Sequence, residues 1–318
     1  MPRFHIAAVL LCLSALVVPH QASVKGGKGG NKCGKADASK LGNPSLNRYD
    51  ASYDLEVSPG KVDCDYTFAF TFKHDEDLPV PDTAEQCNPT SLPPALASDG
   101  IPYLASRSGY ESMPKDIQEA TGIDHLSLDF NPCGHPPVGV FNIPHYDMHV
   151  YLISPEDRMC MTCAKIPGTP VCRPPSPSAG PNTMAGNGFF NIAKLRDETG
   201  TGRLSNMPSN FDFSDGDAIP YMGMHAWDFS KQPKSTSWDS PVWVMGSYDG
   251  KIVNYEPMFP LDNVVGNDSF SFTESLTYEG QSMPQLPTSY RLDYSAVTGY
   301  TTVTFKGKSL KCNKRKKN

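Results

Sequence analysis

The sequence predicts a mainly β protein, an antiparallel barrel or sandwich with few short helices. Three observations carry this. The 30 prolines and 26 glycines among 318 residues cut the chain into short pieces and leave little room for long helices. Several pieces alternate polar and apolar residues with period two and are rich in β-branched and aromatic side chains. Turn residues separate these pieces at the short intervals typical of sandwiches and closed barrels.

The elements follow in chain order. Residues 1–23, MPRFHIAAVLLCLSALVVPHQAS, read as a secretory signal peptide. Arg3 supplies the positive start, Ile6 to Val18 carries no charge, and Ala22 and Ser23 are small enough for cleavage. The uncharged run is shorter than the ~20 residues of a spanning helix, so the chain is expected to be secreted or extracellular. Residues 24–48 are rich in Gly, Lys and Ser and read as a flexible lead-in. Within them GGNKCGKA approaches a phosphate-binding loop, but the closing Ser or Thr is missing and no strand precedes it.

One β-barrel-like domain is expected over residues 49–305. YDLEVS and DYTFAFTFKH are its first strands, by alternation. SMPKDIQEATGI is the best short helix, with Gly122 as its stop. HVYLIS is a further strand, and residues 164–187, rich in Pro and Gly, form a long loop. SPVWVMGSYDGKIVNYEPMF reads as a hairpin turning at Asp249-Gly250, a pair suited to the positive φ of a tight turn. SFSFTESLTYE, SYRLDYS and YTTVTFKGK complete the strands, and residues 306–318 are a basic tail. Asn267-Asp268-Ser269 is the usable glycosylation sequon, because Asn43 and Asn88 each precede proline.

Cysteine and charge bound the function. Of 9 cysteines, Cys12 leaves with the signal, and the even remainder (Cys33, Cys64, Cys87, Cys133, Cys160, Cys163, Cys172, Cys312) fits disulfides in an exported chain. Cys160 and Cys163 have the spacing of a zinc half-site or redox pair, but no second CxxC joins them. Removing the signal leaves 27 cationic side chains against 34 acids, a charge of -7, and the tail holds seven of the cations. The body is therefore near -14, which argues against nucleic acid as a partner. The tail is a solvated end or a docking segment for an anionic surface.

Several catalytic signatures are missing from the sequence: G-x-S-x-G, H-E-x-x-H and the dinucleotide-binding glycines. NFDFSDGDAIP carries Asp212, Asp215 and Asp217, but its glycine is out of register for a calcium loop, so it reads as an acidic turn. The histidines say more. Of 8, three fall within GHPPVGVFNIPHYDMHVY: His135, His145 and His149. On a strand, His145, Asp147 and His149 share one face and Tyr146, Met148 and Val150 the other. His145 and His149 are then about 13 Å apart along the backbone, too far to share an ion unless Pro144 bends the strand. Otherwise Asp147 or His149 binds directly and His145 sits behind it.

His225 in IPYMGMHAWD and Glu256 in VNYEPMF can complete a ligand set. The candidate metal ligands are His145, His149, His225 and Glu256. His135, Asp147, Tyr151 and Trp227 are expected to support them or line the pocket. Imidazoles with a carboxylate suit zinc, iron, manganese or copper.

GIDHLSLDFNPCGHPPVGVFNIPHYDMHVYLIS, IPYMGMHAWD and VWVMGSYDGKIVNYEPMF resemble, in order, the signature blocks of a family of mostly bacterial exported proteins of unknown function. Its pattern runs GH-x-P, PH-[FY]-D-x-H-[FY], MG-x-H-W and a YG block followed by EPM. The likeness spans roughly residues 100 to 262, with His225-Ala226-Trp227 replacing the usual HW and MGSYDG the usual YG block. It implies a mainly antiparallel β-barrel-like fold open to homo-oligomerisation, with no established activity. Two functional readings follow. One is an exported protein with a metal-binding pocket, acting on an unidentified small molecule by hydration, hydrolysis or lyase chemistry. The other is a non-catalytic extracellular binding or structural protein in which the same side chains form a buried polar network.

Overall fold

In the computed structural model, the residues described are 49–58, 64–78, 80, 107–135, 140–160, 164–165, 172–173, 207–208, 210–212, 218–219, 222–228, 238–248, 251–278 and 285–310. The expected signal peptide, the lead-in, Cys163, most of the 164–187 loop, Asp215 and Asp217, the Asp249-Gly250 turn and the last eight residues lie outside them.

Alternation becomes strand. The strands are β1 (Ser52–Ser58), β2 (Asp65–Lys73), β3 (Arg107–Ser112), β4 (His125–Asn131), β5 (His145–Tyr151), β6 (Ala164–Lys165), β7 (Cys172–Arg173), β8 (Phe211–Asp212) and β9 (Ala218–Ile219). They continue with β10 (Gly223–Asp228), β11 (Val242–Tyr248), β12 (Lys251–Pro260), β13 (Phe270–Ser275), β14 (Pro287–Ser295) and β15 (Tyr300–Lys308). Among the described residues two short α-helices interrupt them, α1 (Lys115–Thr121) and α2 (Pro155–Cys160). As expected, α1 stops at Gly122, whose φ of 80° closes the last turn through its N–H to Gln118. The sequon at Asn267 is exposed.

Among the described residues the strands form two large antiparallel sheets and a separate antiparallel pair, β6-β7. One large sheet has the order β1-β2-β15-β14-β13; the other runs β3-β4-β5-β12-β11-β10-β8, with β9 also paired to β10. The barrel reading is corrected here: among the described residues neither sheet closes on itself, and the two pack face to face as a sandwich. Alternation fixes which side chains point inward, but closure depends on strand tilt and stagger, which alternation does not encode. The tail boundary also moves. β15 continues to Lys308, where Nζ lies 2.7 Å from Asp65 Oδ1, and the Ser309 N–H bonds to the Cys64 carbonyl.

Aromatic rings lock the sheets together. From the first sheet, Phe72 of β2 meets Tyr146 of β5 at 5.3 Å and Phe259 of β12 at 6.1 Å between ring centroids. Trp243 of β11 stacks on Tyr290 of β14 at 4.9 Å. Full burial of each such side chain contributes about 1.5–3 kcal/mol, and each ring pair roughly 0.5–1.5 kcal/mol more.

The outer faces of the two sheets differ. β2 alternates buried with half-buried positions, as a sheet with one wet face should. β4 and β5 also alternate polar and apolar residues, yet every position in both is buried. Their inward residues (Leu126, Leu128, Phe130, Tyr146, Met148, Val150) belong to the core. Their outward residues are a buried polar layer. Part of its cover is a second apolar cluster of Val140, Phe141, Trp227, Trp238, Val242, Val244 and Met258.

Candidate metal centre

Register assembles the polar layer. β4 pairs with β5 so that Ser127 faces His149, Asp129 faces Asp147 and Asn131 faces His145. β12 pairs with the other edge of β5, with Met258 opposite Asp147 and Tyr255 opposite Val150. That register brings Glu256 beside His149. One strand further, Val244 of β11 faces Glu256 and Gly246 faces His225 of β10. Glycine is required at 246: a β-carbon there would collide with the Asn254 side chain and the Met222 carbonyl. Asn254 crosses that gap to donate to Met222 at 2.8 Å, which ties down the approach to His225.

Two buried groups of donors result, and each can hold a metal ion. One is His149, His225 and Glu256; the other is His135, His145 and Asp147. Within each group the donor atoms lie within 4.8 Å of one another. Thus three of the four expected ligands converge, while His145 joins the two residues expected only to support them. The reason is the strand spacing that already separated His145 from His149.

In the first group, His149 Nδ1 lies 2.8 Å from Asp129 Oδ2 and donates to that carboxylate, which also accepts from Ser127 Oγ at 3.0 Å. With Nδ1 as the donor, the neutral form of the ring would carry its lone pair on Nε2, which sits 3.2 Å from Glu256 Oε1. His225 Nε2 lies 3.8 Å from Glu256 Oε2. In the second group, His145 Nδ1 is 2.7 Å from the Ile143 carbonyl. A carbonyl only accepts, so Nδ1 is the donor and Nε2 presents a lone pair in the neutral ring. It faces Asp147 Oδ1 at 3.1 Å. The other oxygen, Oδ2, accepts from Asn131 Nδ2 at 2.7 Å and lies 3.0 Å from His135 Nε2.

With the rings neutral and both carboxyl groups ionised, acceptors would face acceptors. His145 Nε2, Asp147 Oδ1, His149 Nε2, His225 Nε2 and Glu256 Oε2 are all buried and, among the described residues, make no hydrogen bond of acceptable geometry. Orphaned buried polar atoms are uncommon and call for a reason. A cation between them supplies one. A single proton bridges two atoms, whereas a metal ion bridges three or more.

Without such a cation, protons take up part of its role. Burial, reinforced by His149 and His135, pushes the His225 imidazole down to about 3, so it is neutral and able to ligate. Burial, reinforced by Asp147 and Asp129, pushes the Glu256 carboxyl well above its usual range. Burial also works to raise Asp147, but His145 and His135 prevail and hold it well below the usual carboxylate range. A divalent ion would displace the proton that Glu256 otherwise keeps.

Tyr151 and Trp227 are both buried. Tyr151 lies flat against His149 at 5.9 Å and against His125 at 4.5 Å, with the Arg158 guanidinium 3.9 Å above its ring. Trp227 meets Phe141 edge-on at 6.0 Å in the apolar cover. Sequence reasoning missed Asp129, Asn131 and Ser127. The available signal was the alternation in HLSLDFN, which β4 shares with β5. Cys64 and Cys133 are half-cystines, and Cys133 lies two residues before His135. Comparison of the chain with protein-family models, with curated proteins and with solved structures finds no match.

Proposed function

We propose that this is an exported metalloenzyme in which His149, His225 and Glu256 bind a divalent transition-metal ion for hydrolytic, hydration or lyase chemistry. The observation that carries the reading is the set of buried imidazole and carboxyl atoms turned toward one another without hydrogen bonds of acceptable geometry. Two imidazoles and a carboxylate match the ligand sets of catalytic zinc and of non-haem iron. Three protein ligands leave a coordination position for water or substrate, and the ion would polarise a bound oxygen there as a Lewis acid. The chain's own residues hold the geometry. Asp129 fixes the tautomer and tilt of His149, as carboxylates behind metal-bound imidazoles do. The apolar cover of Phe141, Trp227 and Trp238 restricts water and strengthens the electrostatics of the layer beneath.

Export is the second part of the proposal and rests on the apolar, singly charged start of the chain. Material from the native secretory route should begin near Val24. Elemental analysis of that material should find at least about one metal ion per chain, and one fewer in His149→Ala and His225→Ala than in wild type. A chelator should lower its melting temperature, because an ion that binds only the folded state stabilises it. Metal-free protein whose melting ignores both chelator and added zinc would overturn the metal reading. The layer would then stand as the polar network of a binding protein.

A further inference from the structure

His135, His145 and Asp147 take no part in the centre just proposed, yet they repeat its logic on the same strand face. We propose that these three residues hold a second divalent transition-metal ion beside the first, so that β5 carries a paired-metal centre. Only the pairing rests on the reading of His149, His225 and Glu256; the second site has its own observations.

The first observation is the donor set. One nitrogen from each histidine and one Asp147 oxygen lie within 4.8 Å of one another. The second is the pair of orphaned atoms. His145 Nε2 and Asp147 Oδ1 face each other at 3.1 Å without a hydrogen bond of acceptable geometry, an ion pair when the ring is protonated and two buried acceptors when it is neutral, on side chains 0% and 7% exposed. The far side of each is already engaged, His145 Nδ1 with Ile143 and Asp147 Oδ2 with Asn131. These contacts aim the unengaged atoms at a common point, as the partners behind metal ligands do.

The third observation is how His135 is delivered. Gly134 has φ 66°, and a β-carbon there would strike the Phe141 carbonyl. The His135 N–H bonds that same carbonyl at 2.9 Å. The chain is therefore folded back over β5 at the one place that sets the His135 ring 4.7 Å from the His145 ring. At 26% exposed, the His135 side chain is the donor of the second group open to solvent. Exchange of the second ion would pass its ring.

Spacing makes the two ions neighbours and keeps them distinct. His145 and His149 are about 13 Å apart along the strand and belong to different ions. Asp147 and His149 are one pleat repeat apart, about 6.6 Å. Asp147 is also close enough to act electrostatically on both His225 and Glu256.

The test is metal stoichiometry on the full exported chain, stripped with a chelator and titrated with manganese(II). Bound metal is counted by elemental analysis, and the ions are observed by electron paramagnetic resonance. Wild type should bind two equivalents and show a signal altered by interaction between neighbouring ions. His135→Ala and His225→Ala should each bind one and show the six-line signal of an isolated ion. His135→Gln, with circular dichroism and melting of each variant, separates a lost ligand from a lost fold, and the wild-type count needs no variant. Saturation at one equivalent, lost in His225→Ala and kept in His135→Ala, would overturn the second site and leave the proposed function intact. One equivalent with the reverse pattern would uphold the second site and overturn the first. No binding in wild type would overturn both.

Discussion

Asp129 never touches the proposed ion, so its replacement isolates what the residues behind the ligands contribute. Its carboxylate receives His149 Nδ1 at 2.8 Å. With a zinc–nitrogen bond of about 2.0–2.1 Å on the opposite ring nitrogen, the ion would lie roughly 7 Å from that carboxylate. A unit charge and a divalent ion at that distance attract by roughly 5 kcal/mol at an effective dielectric of about 20. This is a ceiling, because an amide would still accept the imidazole proton and the buried charge carries its own desolvation cost. Losing such a partner ordinarily weakens metal affinity about 10- to 100-fold, or roughly 1.4–2.7 kcal/mol. Asp129→Asn should fall in that range. Asp129→Ala should lose more, since it also leaves Nδ1 and Ser127 without their acceptor. The assay is competition against a chromophoric chelator, with unfolding measured separately so that lost stability is not mistaken for lost affinity. Affinity within about twofold of wild type in Asp129→Asn would refute the argument that this carboxylate tunes His149.

The remaining predictions concern the fold around the centre. Phe72→Ala removes a fully buried ring that bridges the sheets and should cost about 3–5 kcal/mol in urea unfolding without changing metal stoichiometry; a cost near zero would mean the sheets are held elsewhere. Gly134→Ala forces a side chain into a left-handed backbone against the Phe141 carbonyl. It should lower stability by at least about 1–2 kcal/mol and weaken the second site before the first, as read from stepwise metal release. Burial holds His74 below its ordinary value of 6.5, against the pull of Asp75 and Glu76. The folded chain therefore binds fewer protons there than the unfolded one, so this stabilisation is complete above about pH 6.5 and is lost as pH falls toward the folded value. Between about pH 7.5 and 5.5, wild type should lose more stability than His74→Gln; equal losses would exclude His74 as a source.

The alternation of HYDMHVY is legible because strand geometry makes it so, and the structure keeps the predicted division of side chains between faces. The same rule applied to HLSLDFN would have found β4. Its partnership with β5 is a different matter. Asp129 and His149 are 20 residues apart, and Asn131 and Asp147 are 16; nothing local ties them. Such contacts come from sheet register, which one sequence does not specify. The regrouping of His145 has a similar cause. Its spacing from His149 argued against one shared ion, but its companionship with His135 depends on the chain reversing at Gly134. The choice between barrel and sandwich turns on how distant edges meet, which local pattern leaves open. Burial of both faces of β4 and β5 was equally hidden, because polar residues on alternate positions ordinarily announce water.

A strand buried on both sides separates two kinds of inheritance. On β5 the even-numbered Tyr146, Met148 and Val150 answer to the aromatic interior, and the odd-numbered His145, Asp147 and His149 answer to the polar layer. β4 divides the same way. Substitutions in one series leave the other's neighbours untouched, since they are separated by the thickness of a backbone. The donor set can thus drift, be exchanged or be redesigned position by position while the sandwich keeps its architecture. Descendants of this fold could differ entirely in what they bind and still superimpose strand for strand.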